Sequence, residues 1–241
     1  MHRFIVDEAP LAGRVDLPEE EAQHAIKVLR LRRGDKIELT DGRGRLYAGR
    51  ISEIDKKRAS VELQGERPSR ESNLRLAVYM GYPKAEKLEL IVQKLTELGV
   101  VHIAPVMMTR SVARTQDFSN RGQRLERIAR EAVKQCGRSV IPEIDAPVQW
   151  DEALRQMAAC DLVLVPWEEA RANRLRDLRE RYPQAVRIAI VIGPEGGMTT
   201  EEISRLEEAG ALSLTLGPRI LRAETAAISA VSAVMTLWGD M

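Results

Sequence analysis

From Leu74 to Trp238 the chain alternates short apolar runs with longer amphipathic ones, and this alternation limits its possible folds more than any other feature. The runs at 74–80, 101–106, 161–165, 187–192 and 211–216 are rich in aliphatic residues and fit strands. Segments 84–98, 123–136, 150–159, 200–209 and 224–238 fit helices between them. In 84–98, Leu88, Ile91, Val92, Leu95 and Leu98 share one face, and Gly99 follows as a C-cap. Gly137 closes the next helix in the same way. Strands separated by helices pair in parallel and need cover on both faces, so the expected class is α/β with a parallel sheet.

The first 65 residues have a different rhythm. Strands are expected at 3–6, 36–40, 46–51 and 59–63, and a short helix at 19–29, where Ala22, Ala25, Ile26 and Leu29 recur. Asp41-Gly42 between two alternating runs is a hairpin signal. Several short strands at close spacing suggest a small barrel. The polar stretch 64–73, with Pro68 and two serines, reads as a linker. The expected domains are therefore 1–68 and 74–241.

Bulk properties narrow the class. No window approaches about 18 uncharged apolar residues, so no membrane-spanning helix is expected. Charges fall within the first eight residues, where a secretory leader would be apolar, and the expected location is the cytoplasm. Cys136 and Cys160 lack a CxxC spacing and read as reduced, buried thiols. The three histidines, His2, His24 and His102, are scattered, so no metal site is expected.

The net charge is only +1, but it is unevenly spread. Between 107 and 141, eight basic residues (Arg110, Arg114, Arg121, Arg124, Arg127, Arg130, Lys134, Arg138) face three acids (Asp117, Glu126, Glu131), or about +5. Such a stripe fits a polyanion such as RNA. It also fits a solvated arginine-rich helix.

Two loops stand out. Val-Ile-Gly-Pro-Glu-Gly-Gly at 191–197 ends an apolar strand, and Thr199 and Glu202 then have the spacing of a capping box. Glycines let backbone approach a ligand, and in open α/β sheets ligands sit beyond the carboxyl ends of strands. The pattern is neither GxGxxG nor GxxxxGK[ST], so a dinucleotide or a nucleoside triphosphate is not favoured. The second loop, Leu-Gly-Pro-Arg-Ile-Leu-Arg-Ala-Glu-Thr-Ala at 216–226, also joins a strand to a helix. Two such loops from neighbouring strands would converge on one pocket. A third strand, 162–165, ends in Pro166-Trp167-Glu168 and by itself is a weak signal. Each loop taken singly also fits a plain strand-to-helix turn.

These two loops resemble those of the SPOUT superfamily of methyltransferases. Within it, the chain is similar to the 16S rRNA (uracil-N3)-methyltransferase family. The similarity extends to the opening Met-His-Arg-Phe, to His-Ala-Ile-Lys-Val-Leu-Arg-Leu-Arg at 24–32 with Gly34-Asp35, to 84–99, and to Glu-Ala-Val-Lys-Gln-Cys-Gly-Arg at 131–138. The resemblance implies a PUA-like β-barrel followed by a SPOUT-type α/β knot, a topology that general connection rules would not suggest. It implies S-adenosylmethionine as cofactor, 16S rRNA of the small subunit as partner, and a homodimer with the active site near the subunit interface. A sister SPOUT enzyme acting on another base or on a ribose 2′-OH, and a non-catalytic RNA-binding assembly factor, remain open.

The cofactor residues so implied are Leu164, Pro166, Ile192, Gly193, Pro194, Glu195, Gly197, Leu216, Gly217, Ile220, Leu221, Arg222, Thr225 and Ala226. Backbone groups of Leu216, Ile220, Leu221 and Ala226 are expected on the adenine. Glu195 either meets the cofactor or braces its loop by accepting backbone N–H groups. Methyl transfer to uracil N3 leaves negative charge on the neighbouring carbonyl oxygens, which a fixed guanidinium stabilises. Arg222 is the first candidate and Arg138 the second. Glu131, Glu224 or water would take the proton. The RNA grip is expected from Arg3, Arg30, Arg32 and Arg33 on the small domain, and from Arg110, Arg114 and the helix that ends near Arg138.

Overall fold

The computed structural model describes residues 1–6, 13–111, 118–171 and 173–241. It divides into two compact units, Met1–Glu71 with Arg130–Ile141, and Ser72–Ala129 with Pro142–Met241.

In the first unit, β1 (His2–Ile5), β2 (Arg14–Asp16), β3 (Lys36–Thr40), β4 (Leu46–Ile54) and β5 (Ala59–Arg67) form one sheet in the order β1-β3-β4-β5-β2. Only β1 and β3 run parallel. Their inward residues bury Phe4, Ile37, Leu39, Tyr47, Ile51 and Val61 in one core. Helix α1 (Glu19–Gln23) continues into a wider π turn over His24–Val28, adding Ala22 and Ala25 to that core. The β3–β4 connection turns at Gly42 and Gly44, both at positive φ, while Asp41 Oδ1 accepts the N–H groups of Arg43 and Arg45. The expected linker begins too early, because residues 64–67 continue β5 and pair with the start of β4. Backbone pairing holds that polar strand, and side-chain pattern gives no hint of it. Residues 130–141 join this unit through backbone contacts. Thr40 Oγ1 and the Gly44 N–H both donate to Ser139 O at 3.0 Å, and the Ile141 N–H donates to Gly42 O at 2.9 Å.

In the second unit, β6 (Arg75–Gly81), β7 (His102–Met107), β8 (Glu143–Ile144), β9 (Val148–Gln149), β10 (Leu162–Pro166), β11 (Arg187–Ile192) and β12 (Leu212–Leu214) form an all-parallel sheet. The order is β12-β10-β11-β6-β7-β8, with β9 also on β7. Between the strands lie α2 (Ala85–Glu97), α3 (Phe118–Cys136), α4 (Trp150–Met157), α5 (Leu175–Arg181), α6 (Thr200–Glu208) and, last, α7 (Ala223–Trp238). This is the α/β class expected from the alternation. Helices α4 and α6 bury Ala153, Met157, Ile203 and Leu206 against Tyr79, Val165 and Val191. Helix α7 packs on α2 and β11. Gly99, at φ +92°, ends α2 as the sequence requires.

Register decides where a site can form. Ile192 pairs with Met80, Leu164 with Ile190, and Pro166 with Leu214. Strands β6, β11, β10 and β12 therefore end level with one another. Their following loops all leave from one edge of the sheet.

The expectation for the cysteines needs correction. Cys136 is exposed on the last turn of α3, and Cys160 is only half-buried, although burial pushes its thiol pKa up. No helix among the described residues is long and apolar enough to cross a membrane.

Candidate active site

The loop after β11 is the more tightly held of the two main loops. The Gly197 N–H donates to Pro194 O at 2.9 Å, and Gly197 adopts φ +70°. A Cβ at Gly193 would lie 3.1 Å from Met198 Cγ. Gly81, at the end of β6, lies against the same loop, and a Cβ there would fall 2.5 Å from Pro194 N. The capping box expected from Thr199 and Glu202 is present at the start of α6. Glu202 Oε2 accepts the Thr199 N–H at 2.8 Å, and its other oxygen accepts the Thr109 N–H at 2.8 Å. One buried carboxylate thus ties the loop after β7 to the loop after β11. Arg110 adds a second tie by donating to Gly196 O at 2.9 Å.

The loop after β12 is held more sparingly. Thr215 Oγ1 accepts the Gly217 N–H at 3.1 Å, with Gly217 at φ +114°. Ile220 is 86% exposed, an unusual state for a large aliphatic side chain. Arg222 takes the N-cap position of α7 in extended conformation and is exposed. Its backbone oxygen accepts the Ala226 N–H at 2.8 Å.

Between these loops lies a cavity of about 400 Å³. Ile192, Gly193, Pro194, Glu195 and Gly197 line it from one side, and Ile220, Leu221, Arg222 and Ala226 from the other. Pro166 completes the wall and also borders an adjoining recess of about 70 Å³ that reaches Leu216 and Gly217. Of the anticipated cofactor residues, Leu164 and Thr225 line neither space. Leu164 is buried within β10, and Thr225 is exposed on the first turn of α7.

Two charged side chains outside the expected cofactor set also line the main cavity. Glu168, beyond β10, faces both spaces, and its Oε1 would lie 3.3 Å from a Cβ on Gly197. Lys87, in the first turn of α2, places Nζ 3.1 Å from Glu195 Oε1 and 3.4 Å from Glu224 Oε2. In the sequence, Lys87 is one more cation on the polar face of an amphipathic helix. Only the register of β6 reveals that α2 starts at the same edge as the loops. Burial works against the charge on Glu195. A hydrogen bond from its own N–H and another from Lys87 outweigh this and hold its carboxyl below the usual range. The same bond to Glu195 raises the pKa of the Lys87 ammonium.

The structure corrects two of the arginine expectations. Arg138 lies in the first unit with its side chain 8% exposed, and both Nε and Nη2 donate to Glu71 Oε2 at 2.9 and 2.7 Å. Glu71 Oε1 accepts the N–H groups of Ser139 and Val140. Burial disfavours the Glu71 charge, yet the Arg138 fork and these N–H groups hold its carboxyl below the usual range. Arg138 thus fastens residues 138–140 to Glu71 and does not line the cavity. Arg3 is also buried, bonded to Glu38 Oε2 and to Arg138 O at 2.5 Å each, so it is not presented to a phosphate.

The basic stripe is thinner than its sequence. Arg124 pairs with Glu89, Lys134 with Glu21 and Glu131, and Arg121 donates to the Tyr82 hydroxyl. Arg127 and Arg130 have no ion pair among the described residues. Arg30, Arg32 and Arg33 are exposed on the first unit, and Arg30 has φ +52°. Arg114 lies outside the described residues. Glu131 is exposed on α3 and is not among the residues that line the cavity. No group of three or more His, Cys, Asp or Glu among the described residues is placed to hold a metal ion.

Known proteins match both parts of the chain. The family described as RNA methyltransferase domain matches residues 70–235, and the RNA methyltransferase PUA domain matches 17–64. The fold is therefore that of an RNA methyltransferase domain, with a PUA domain preceding it in the sequence. Ribosomal RNA small subunit methyltransferase E of Bacillus subtilis is 31% identical over 95% of this chain and 91% of its own length. The Mycobacterium bovis protein of the same name is 34% identical over 97% and 91%. A crystal structure of a ribosomal RNA small subunit methyltransferase E from Neisseria gonorrhoeae, bound to S-adenosyl methionine, superposes with a TM-score of 0.89 at 35% identity, covering 100% of this chain and 99% of that one. A Legionella pneumophila protein solved with the bound cofactor SAM gives 0.87 at 34%, covering 99% and 98%. The chain belongs to the ribosomal RNA small subunit methyltransferase E family.

Proposed function

We propose that this chain methylates N3 of a uridine in the 16S ribosomal RNA of the small subunit, with S-adenosylmethionine as donor. The observation that carries this reading is the convergence of the loops after β10, β11 and β12 on one cavity, in a chain of this family. A volume of about 400 Å³ suits a small-molecule cofactor. The glycines at 193 and 197 leave open the space that side chains would fill.

Backbone groups of Leu216, Ile220, Leu221 and Ala226 would read the adenine, with Gly217 completing the turn. Ile192, Gly193, Pro194, Glu195 and Gly197 form the floor, and Pro166 the wall. The cofactor supplies a methyl group on a sulfonium. The chain's own part is alignment of donor and acceptor, which is worth several kcal/mol. Uracil N3–H is a weak acid, and loss of its proton spreads charge onto the flanking carbonyl oxygens. Arg222 lines the cavity, is exposed, and has no ion pair among the described residues, so its guanidinium is available for that charge. Glu224, two residues on, is held behind Lys87 and does not line the cavity, so it would receive the proton through an intervening water. Arg30, Arg32 and Arg110, with Arg127 and Arg130, supply phosphate contacts that add affinity without sequence choice. We also read the protein as a cytoplasmic homodimer with its site near the subunit interface. The exposed Ile220 beside the cavity supports a cover for that rim.

The test is methylation of small subunits and of naked 16S RNA from a strain lacking this gene, using labelled donor and mass-spectrometric mapping. One added methyl at N3 of one uridine is the expected result. A ribose methyl, or no transfer to either substrate, overturns the reading.

A further inference from the structure

Charge at the cavity is concentrated in one ion cluster. Lys87 and Arg222 line it as cations, and Glu168 and Glu195 as anions. Glu224 stands behind Lys87 with its side chain 15% exposed. Lys87 is shared by Glu195 at 3.1 Å and Glu224 at 3.4 Å, so one ammonium serves two carboxylates. The longer contact exceeds a well-formed hydrogen bond, and Glu224 Oε2 is buried with no hydrogen-bond partner among the described residues. Lys87, Glu195 and Glu224 by themselves carry one unit of negative charge. The other nearby cations, Lys84, Arg110 and Arg219, are exposed, as are Arg222 and Glu168, so solvent and salt screen them. The side chains of Lys87, Glu195 and Glu224 are 31%, 25% and 15% exposed, so the field of this cluster is screened less than that of freely exposed charges.

The two forms of the cofactor differ in charge at one atom. The donor carries a positive sulfonium, and the product left after methyl transfer carries a neutral thioether. A cavity with a surplus carboxylate attracts the first more than the second.

Resting on the cofactor assignment made above, we propose that Lys87, Glu195 and Glu224 form the element that selects the cationic methyl donor over its neutral product. Lys87 does two things in this cluster. It ties the loop after β11 to the start of α7, positioning two sides of the cavity, and it cancels one of the two carboxylate charges. Removing Lys87 and removing a carboxylate therefore change the discrimination in opposite senses, although each loosens the same tie. A purely structural cluster would not produce that sign reversal.

The experiment is calorimetric titration of the full-length chain with S-adenosylmethionine and, separately, with S-adenosylhomocysteine. The readout is the ratio of the two Kd values. In E195Q the preference for the donor should fall several-fold, because the cluster becomes neutral. In K87M it should rise several-fold, because two carboxylates are left uncompensated, even if both affinities drop. K87R keeps the charge and should keep the wild-type ratio. E224Q, on the other side of the same ammonium, carries the prediction of E195Q if that variant disturbs the loop. Ratios within twofold of wild type throughout, or shifts of the same sign in K87M and the Gln variants, overturn the proposal while leaving the function intact. A wild-type chain that binds neither ligand overturns the function itself.

Discussion

The two loops that face each other across the cavity are held in very different ways. The loop after β11 is fixed from four directions. Gly81 presses on Pro194, Glu202 ties Thr199 to Thr109, Arg110 bonds to Gly196 O, and Lys87 pairs with Glu195. The loop after β12 has the Thr215–Gly217 turn, the exposed Ile220, and Arg222 without an ion pair among the described residues. A site built this way has a rigid floor and a chemically available rim. Preorganised groups cost no rearrangement during reaction, whereas a group that meets a large RNA must remain reachable. Damage to the floor should therefore appear in stability and cofactor binding, and damage to the rim in turnover.

The largest effect on the floor is expected from Gly81→Val. Its new side chain meets the backbone of Pro194, which has no rotamer to yield. Overpacking of this kind costs about 1–3 kcal/mol, or roughly five- to 150-fold in cofactor affinity if the strain is released by moving the loop. Calorimetry with the cofactor checks it, and unchanged affinity would show that the floor is softer than its geometry. Glu202→Ala should do less. It leaves the Thr109 and Thr199 N–H groups without their acceptor and should lower stability by about 1–2 kcal/mol, read as a fall in denaturant midpoint. Turnover at saturating cofactor should change little. A large loss of turnover with normal stability would blur the distinction between floor and rim.

How much of this was legible in the sequence depended on whether the signal was local. The alternation after Leu74 gave the parallel sheet because buried strands and amphipathic helices write their periods directly into apolar positions. The Thr199–Glu202 box was equally local and is present. Helix α5 was not foreseen, since its seven residues bury only Leu178 among five charges. The end of β5 was missed because pairing with β4 holds a strand whose side chains are mostly polar. Distant partners were the main blind spot. The basic stripe looked like a continuous footprint, but Glu21, Glu71 and Glu89 neutralise part of it from far along the chain. The same blindness made Arg138 and Arg222 look alike. One is forked onto Glu71, and the other stands at the cavity. Lys87 was illegible for the converse reason, because nothing in α2 announces that two carboxylates from other loops will meet it.

The proposed role of the cavity, with Arg222 as its charge-stabilising group, can be probed at one side chain. It is tested most directly by measuring cofactor affinity and single-turnover methylation of small subunits with Arg222→Ala. Cofactor binding should stay within a few-fold of wild type and turnover should fall at least about a hundredfold, the usual loss for one preorganised donor. Near-normal turnover in that variant would contradict that role.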